Sequence, residues 1–171
     1  MDINKWTARD LAQTALVAAI YVVLTVTPPL NAISYGAYQF RVSEMMNFLA
    51  FYKPKYIVGI TIGCMISNLI GFGPVDMVVG GLSTLVFVAL GVLLFHRYMA
   101  ERVFGGLFNK AFFYFSLFFS LSMFTIALEL KVLYDLPFFF TWFTTGIGEL
   151  ASLLVGALVI EKLAKKIDFT K

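Results

Sequence analysis

Residues 75–95 read VDMVVGGLSTLVFVALGVLLF, twenty-one positions with a single charged side chain, Asp76. A run of that length and apolarity matches the about 20 residues a helix needs to cross the hydrocarbon core of a bilayer. The rest of the chain repeats the pattern. Of 171 residues, 60% are hydrophobic and 13% are charged, whereas soluble domains carry about 25% charged residues. The mean hydropathy of +0.87 points the same way. A water-soluble fold is excluded, and a chain of this length holds about six spans, too few for a transporter built from two repeated halves.

Six hydrophobic segments follow: Leu11 to Thr27, Phe40 to Tyr52, Tyr56 to Gly71, Val75 to Phe95, Ala111 to Leu130, and Phe138 to Ile160. Between them lie turn and charge signals: Pro28-Pro29, Lys53-Pro54-Lys55, Gly73-Pro74, His96 to Lys110, and Lys131 to Pro137. The expected fold is an all-α membrane protein, a bundle of six transmembrane helices forming one domain over residues 1–171. The second segment, at 1.5 Å per residue, reaches only about 20 Å of a core about 30 Å thick. It either borrows residues from the preceding loop or is a short helix capped by that loop.

Orientation comes from Lys and Arg, which collect in short cytoplasmic loops. Lys5, Arg9, Lys53, Lys55, Arg97, Arg102, Lys110, Lys162, Lys165, Lys166 and Lys171 fall on one side, eleven of the thirteen basic residues. Only Arg41 and Lys131 do not. Both termini are therefore predicted to be cytoplasmic, and the first segment, which has no A-x-A cleavage pattern after it, is read as a permanent helix. Small residues recur every three or four positions on three segments. Gly59, Gly63, Ser67 and Gly71 lie on the third, and Gly148, Ser152 and Gly156 on the sixth, where packing within the chain is expected. Ala8, Ala12, Ala15 and Ala19 form a stripe on the first, which packs either inside the chain or against another protein. The phenylalanines Phe112, Phe113, Phe115, Phe118 and Phe119 face lipid or fill the core.

Ionisable groups in a membrane segment are costly and mark candidate functional positions. Glu44, Asp76, Glu129, Asp135 and Glu149 all lie toward the side opposite the basic loops, against only Arg41 and Lys131. That balance favours a ligand that is cationic or rich in N–H donors. In the densest run, Gln39-Phe40-Arg41-Val42-Ser43-Glu44, a helix would set Arg41 and Glu44 three apart, close enough to pair, with Asn47 on the same face. Asn68 bridges helices or reads a ligand. Asp76 is expected to cap the fourth helix, and Glu129 to snorkel or pair with Lys131. Glu149, about eleven residues into the last segment, is read as a ligand carboxylate. Trp142 and Tyr134 are interfacial anchors or a stacking surface.

Several chemistries are set aside. The sequence has no G-x-x-x-x-G-K-[ST], H-E-x-x-H, G-x-S-x-G or C-x-x-C pattern. A single Cys, Cys64, and a single His, His96, leave no internal disulfide and no multi-His metal site. An enzyme, a resident metal or cofactor, and a nucleic-acid partner are not expected.

The run Tyr35-Gly36-Ala37-Tyr38-Gln39-Phe40-Arg41-Val42-Ser43-Glu44 resembles the signature of the QueT-type queuosine-precursor transporters, substrate-binding (S) components of energy-coupling factor (ECF) transporters. The likeness continues through Gly63 to Leu69, Asp76 with Gly80-Gly81, Glu129, Pro137 and Gly148-Glu149. It implies a six-helix S component that captures a 7-deazaguanine-type precursor from outside, with a membrane coupling subunit and two ATPases as partners. It also implies docking through small residues of the first helix, for which Ala8, Ala12, Ala15 and Ala19 are the candidates. In the pocket, Glu149 and Glu44 would read N–H donors or an amine, and Asn68 and Gln39 would complete the hydrogen bonds. Phe40 or Trp142 would stack, and Arg41 would orient Glu44 or meet the carbonyl. Asp76 and Glu129 join the substrate-binding set. An S component for another vitamin, or a small channel or scaffold subunit, are the alternative readings.

Overall fold

The computed structural model describes residues 6–36 and 38–170. Lys5, Ala37 and Lys171, which enter the charge count and the motif above, lie outside the described residues. The chain is helical nearly throughout: α1 (Ala8–Val26), a short α2 (Leu30–Ser34), a 3-10 segment (Val42–Phe51), α3 (Tyr56–Gly71), α4 (Pro74–Phe95), α5 (Lys110–Leu121), α6 (Phe124–Tyr134) and α7 (Phe138–Ala164). Four stretches are long and apolar enough to cross a membrane, Ala8–Val26, Pro74–Tyr98, Lys110–Tyr134 and Phe138–Ala164, with Tyr56–Gly71 a shorter apolar helix.

Local chemistry sets the boundaries. Thr7 caps α1 by accepting from the Asp10 amide at 3.1 Å, while the Asp10 carboxylate accepts from the Thr7 amide at 3.0 Å, a reciprocal capping box. Pro28-Pro29 stops the helix, since proline has no N–H for the ladder. Pro74 opens α4 at its first position, where the missing N–H costs nothing. The fifth segment, read as continuous, is broken at Ser122-Met123 into α5 and α6. Ser120, Ser122 and Thr125 all turn their hydroxyls back onto carbonyls three residues earlier, at 2.7–3.0 Å, competing with the helical ladder. One antiparallel pair, Arg102–Val103 with Phe108–Asn109, closes the loop before α5, turning through Gly105 and Gly106 at φ 64° and 95°.

The second segment is the short, loop-capped form. Ten residues of 3-10 helix rise about 2.0 Å each, so Val42–Phe51 spans about 20 Å. The chain before it is irregular yet partly sunk into the bundle, which lipid tolerates only where protein covers the backbone. α7 provides that cover. A Cβ on Gly148 would strike the Tyr38 carbonyl, one on Gly156 would strike Met45, and Ser152 Oγ donates to the Arg41 carbonyl. Gly59 and Gly63 admit Thr14 and Tyr21 of α1 in the same way. The glycine stripes of α3 and α7 thus serve packing within the chain, as expected.

Phe112, Phe115 and Phe119 fill the core, Phe112 and Phe115 packed edge-on or tilted against Phe48 and Phe51, and Phe119 against Phe115, at centroid distances of 4.4–5.6 Å, while Phe113 and Phe118 are half-buried. The ends of the bundle differ in charge. At one end Lys53 and Lys55 hold Asp10 at 2.7 and 2.8 Å, Arg102 pairs with Glu161, and Lys110 meets Glu101 at 2.6 Å. At the other, Lys131 pairs with exposed Asp135, and that ammonium holds the Asp135 carboxyl below its usual range.

Replacing Gly148 with Ala forces α7 away from Tyr38 and is expected to destabilise the fold by about 1–3 kcal/mol. A lower melting temperature of the detergent-purified protein in a thermal unfolding assay checks this.

Candidate functional site

Five charged residues are buried away from the basic end: Arg41, Glu44, Asp76, Glu129 and Glu149. Arg41 comes from the irregular stretch before the 3-10 segment, and the four acids from the buried faces of the 3-10 segment, α4, α6 and α7. Gln39, Arg41 and Glu44 enter from the irregular stretch and the start of the 3-10 segment, Cys64 and Asn68 from α3, Ser83 and Thr84 from α4, Met123 and Ile126 from the α5–α6 pass, and Glu149 from α7. Together with Phe119 these side chains line one internal cavity. Gln39 reaches it from a left-handed backbone, φ 46°, a conformation that is uncommon for a residue with a side chain and clusters at functional positions.

The hydrogen bonds define a hierarchy. Glu44 is fully engaged, accepting from the Tyr21 hydroxyl at 2.5 Å and from Asn47 Nδ2 at 2.7 Å. Arg41 Nη1 donates to Asn68 Oδ1 at 2.7 Å, and Asn68 Nδ2 donates onward to the Asp76 carbonyl at 3.3 Å. Thr84 donates to Cys64 Sγ at 3.2 Å. Left without partners are Arg41 Nε, Asp76 Oδ2, Glu129 Oε2 and Glu149 Oε1. Buried polar atoms are almost always paired, and orphans cost about 1–3 kcal/mol each. Of these four, Arg41 Nε and Glu149 Oε1 belong to residues that line the cavity, one donor and one acceptor that a ligand can satisfy.

The cavity itself has a water-accessible volume of about 20 Å³, room for one water. A planar ligand enters only if side chains yield, and Met123, unbranched and adaptable, is the lining residue best suited to move. A larger depression of about 690 Å³ lies elsewhere, on the lipid-facing side of α1 and α3, where Ala15 and Ala19 join Trp6, Val58 and Ile62. Ala8, Ala12, Ala15 and Ala19 are all exposed on α1.

Of the residues singled out from sequence, Gln39, Arg41, Glu44, Asn68 and Glu149 meet in the cavity. Several expectations need correction. Arg41 does not pair with Glu44, because the 3-10 turn directs it to Asn68 instead. Asp76 lies in the first turn of α4, where a carboxylate suits the helix dipole. It faces inward, close enough to Glu129 for a side-chain hydrogen bond between them. Glu129 neither snorkels nor meets Lys131, which is turned to Asp135. Asp76 and Glu129 sit one turn from the lining residues Gly80 and Ile126. Phe40 is half-buried outside the cavity. Trp142 is also outside it, its indole N–H donating to the Leu121 carbonyl at 3.0 Å and its ring beside Phe124 and Phe138.

The sequence reading missed Tyr21, Cys64, Ser83, Thr84, Met123 and the cavity role of Phe119. For Tyr21 a signal existed: Asp10, Thr14, Val17, Tyr21 and Thr25 recur at helical spacing and are all buried. For Phe119 the signal was its spacing from Phe112 and Phe115 on one face.

Among the described residues no group of three or more His, Cys, Asp or Glu side chains is arranged to hold a metal ion. A bundle with apolar helices outside and a polar receiving site between them belongs to the class of multi-pass membrane transporters. The family model for the QueT transporter matches residues 11–165, and the chain belongs to that family; it is a transport protein and not an enzyme. The queuosine precursor transporter QueT of Lactococcus lactis subsp. cremoris (strain MG1363) is 58% identical over 162 residues, covering 95% of this chain and 96% of that protein. No solved structure matches the chain.

Replacing Tyr21 with Phe removes one of the two donors that hold Glu44 and is expected to cost about 1–3 kcal/mol of stability. Thermal unfolding of the purified variant beside the parent protein checks it.

Proposed function

We propose that the chain is the substrate-binding subunit of an ATP-driven ECF importer, capturing a 7-deazaguanine-type queuosine precursor, base or nucleoside, from outside the cell. The observation that carries this reading is the buried, incompletely satisfied cluster of Glu149, Arg41, Asn68 and Gln39, in a chain 58% identical to a queuosine precursor transporter. The single transmembrane domain crosses the bilayer six times with both termini in the cytoplasm, in keeping with the basic end described above.

The chemistry is that of a guanine-like edge. Its adjacent N–H donors suit one carboxylate, and its carbonyl suits a guanidinium or amide. Glu149, whose Oε1 is free, accepts the donor pair. Arg41 meets the carbonyl through its unpartnered Nε, Asn68 and Gln39 complete the hydrogen bonds, and Glu44 is kept in place by Tyr21 and Asn47. Phe119 replaces Phe40 and Trp142 as the stacking surface, since it alone of the three lines the cavity. Stacking of this kind is worth about 1–3 kcal/mol. The sequence carries no nucleotide-binding loop, so energy comes from two partner ATPases through a membrane coupling subunit. The exposed stripe Ala8, Ala12, Ala15 and Ala19 gives that subunit a surface of close backbone approach.

Glu149→Gln is expected to lower the affinity for 7-deazaguanines at least about tenfold, read by isothermal titration calorimetry of folded protein. Unchanged affinity would remove Glu149 from the site. Mass spectrometry of the small molecule that co-purifies should find a deazapurine; a different vitamin would transfer the chain to another substrate class. Leucine at both Ala15 and Ala19 should abolish uptake and co-purification of the coupling subunit while leaving binding intact. Loss of binding instead would make the stripe ordinary packing.

A further inference from the structure

Gly80 is buried in α4 and lines the cavity. A Cβ at that position would fall 2.1 Å from Asn68 Nδ2 and 3.3 Å from Asn68 Cγ, while the next atom, Ile126 Cδ1 at 3.9 Å, is in ordinary contact. The conflict is therefore with one side chain. Asn68 has little freedom to retreat from it, being 1% exposed. Its Oδ1 accepts from Arg41 Nη1 at 2.7 Å, and its Nδ2 donates to the Asp76 carbonyl at 3.3 Å and to Cys64 Sγ at 3.5 Å. Its backbone is held as well, since its carbonyl accepts from the Phe72 and Gly73 amides at 2.8 and 3.1 Å where α3 ends.

The Asp76 carbonyl is the one that the helical ladder of α4 pairs with the Gly80 amide. The Asn68 amide thus lies in a notch of α4 left open by the bare Cα of Gly80. A primary amide has two N–H donors and two lone pairs on oxygen. Both N–H groups and one lone pair of Asn68 are taken by the protein, so most of what this side chain does is hold Arg41, whose Nε stays without a partner.

We infer that Gly80 is a positioning residue of the substrate site: by lacking a Cβ it seats the Asn68 amide, and through Asn68 it fixes the Arg41 guanidinium. The inference rests on the reading of this cavity as the substrate site. The neighbouring glycine separates it from ordinary helix packing. A Cβ on Gly81 would meet Met65 Cγ at 2.3 Å, but Met65 is an unbranched side chain that can turn aside, and it does not line the cavity.

The test is a double-mutant cycle, read by calorimetric titration of folded, detergent-purified protein with 7-aminomethyl-7-deazaguanine and by thermal unfolding. Gly80→Ala is expected to weaken binding at least about tenfold, the scale of a lost hydrogen bond to a charged group, whereas Gly81→Ala leaves affinity unchanged. In an Asn68→Ala background, where the notch is empty, adding Gly80→Ala should leave affinity as it is and raise the melting temperature, because alanine suits a helix better than glycine. Parent-like binding by Gly80→Ala, additive losses in the double variant, or an equal loss from Gly81→Ala overturns the inference. Should Gly80→Ala fail to fold, the double variant, which has no clash, must fold; if it does not, the inference is also overturned. Absence of binding by folded parent protein overturns the substrate-site reading and the functional role of Gly80 with it, while the melting temperatures still decide whether Gly80 seats Asn68.

Discussion

The side chain of Arg41 has to be accommodated at bilayer depth, and much of the bundle follows from how that is done. A lone arginine at the centre of a membrane helix costs about 2.5–3.5 kcal/mol on insertion scales. Here its Nη1 bonds to Asn68, four carboxyl groups surround it, and the carbonyl of the same residue accepts from Ser152. To bring those partners together the chain leaves regular helix after Ser34, is irregular at Gln39 to Arg41, and resumes as a tight 3-10 segment. An irregular backbone at that depth must be covered, and Gly148 and Gly156 of α7 make the covering close enough. The short 3-10 segment, the glycine stripe of α7 and the left-handed Gln39 all accompany one buried cation.

α1 has two different faces. Asp10, Thr14, Val17, Tyr21 and Thr25 turn inward, and through Tyr21 the helix fixes the Glu44 carboxylate. Ala8, Ala12, Ala15 and Ala19 turn outward and stay exposed. In lipid no hydrophobic force rewards burying that outward face, so small side chains there gain energy only by letting another backbone come near.

Much of the candidate site was legible because charge is scarce in this chain. Arg41, Glu44, Asn68 and Glu149 stand out against an apolar background, and all four line the cavity. Their pairings were not legible. Sequence spacing suggested Arg41 with Glu44 and Glu129 with Lys131, since it sees neighbours along one helix; the observed partner of Arg41 is Asn68, and the group nearest Glu129 is the Asp76 carboxyl, both from other helices. Trp142 failed as a platform for a related reason. Its indole N–H finds a carbonyl at the α5–α6 break, and that break is set by serine and threonine hydroxyls whose effect on the ladder is hard to weigh against a run of phenylalanine.

The sequence by itself determined the solvent of this protein, its helical class and the polar positions that need a reason to exist, because burial of backbone in lipid permits so few structures and tolerates so few charges. It also determined the family, through the Gln39 to Glu44 run. Only the tertiary structure decided which polar atoms satisfy each other and which remain open, since that depends on five elements meeting at one point. Whether Asp76 is a cap or half of an unpaired carboxyl couple is decided by what faces it from α6, and no local pattern encodes that.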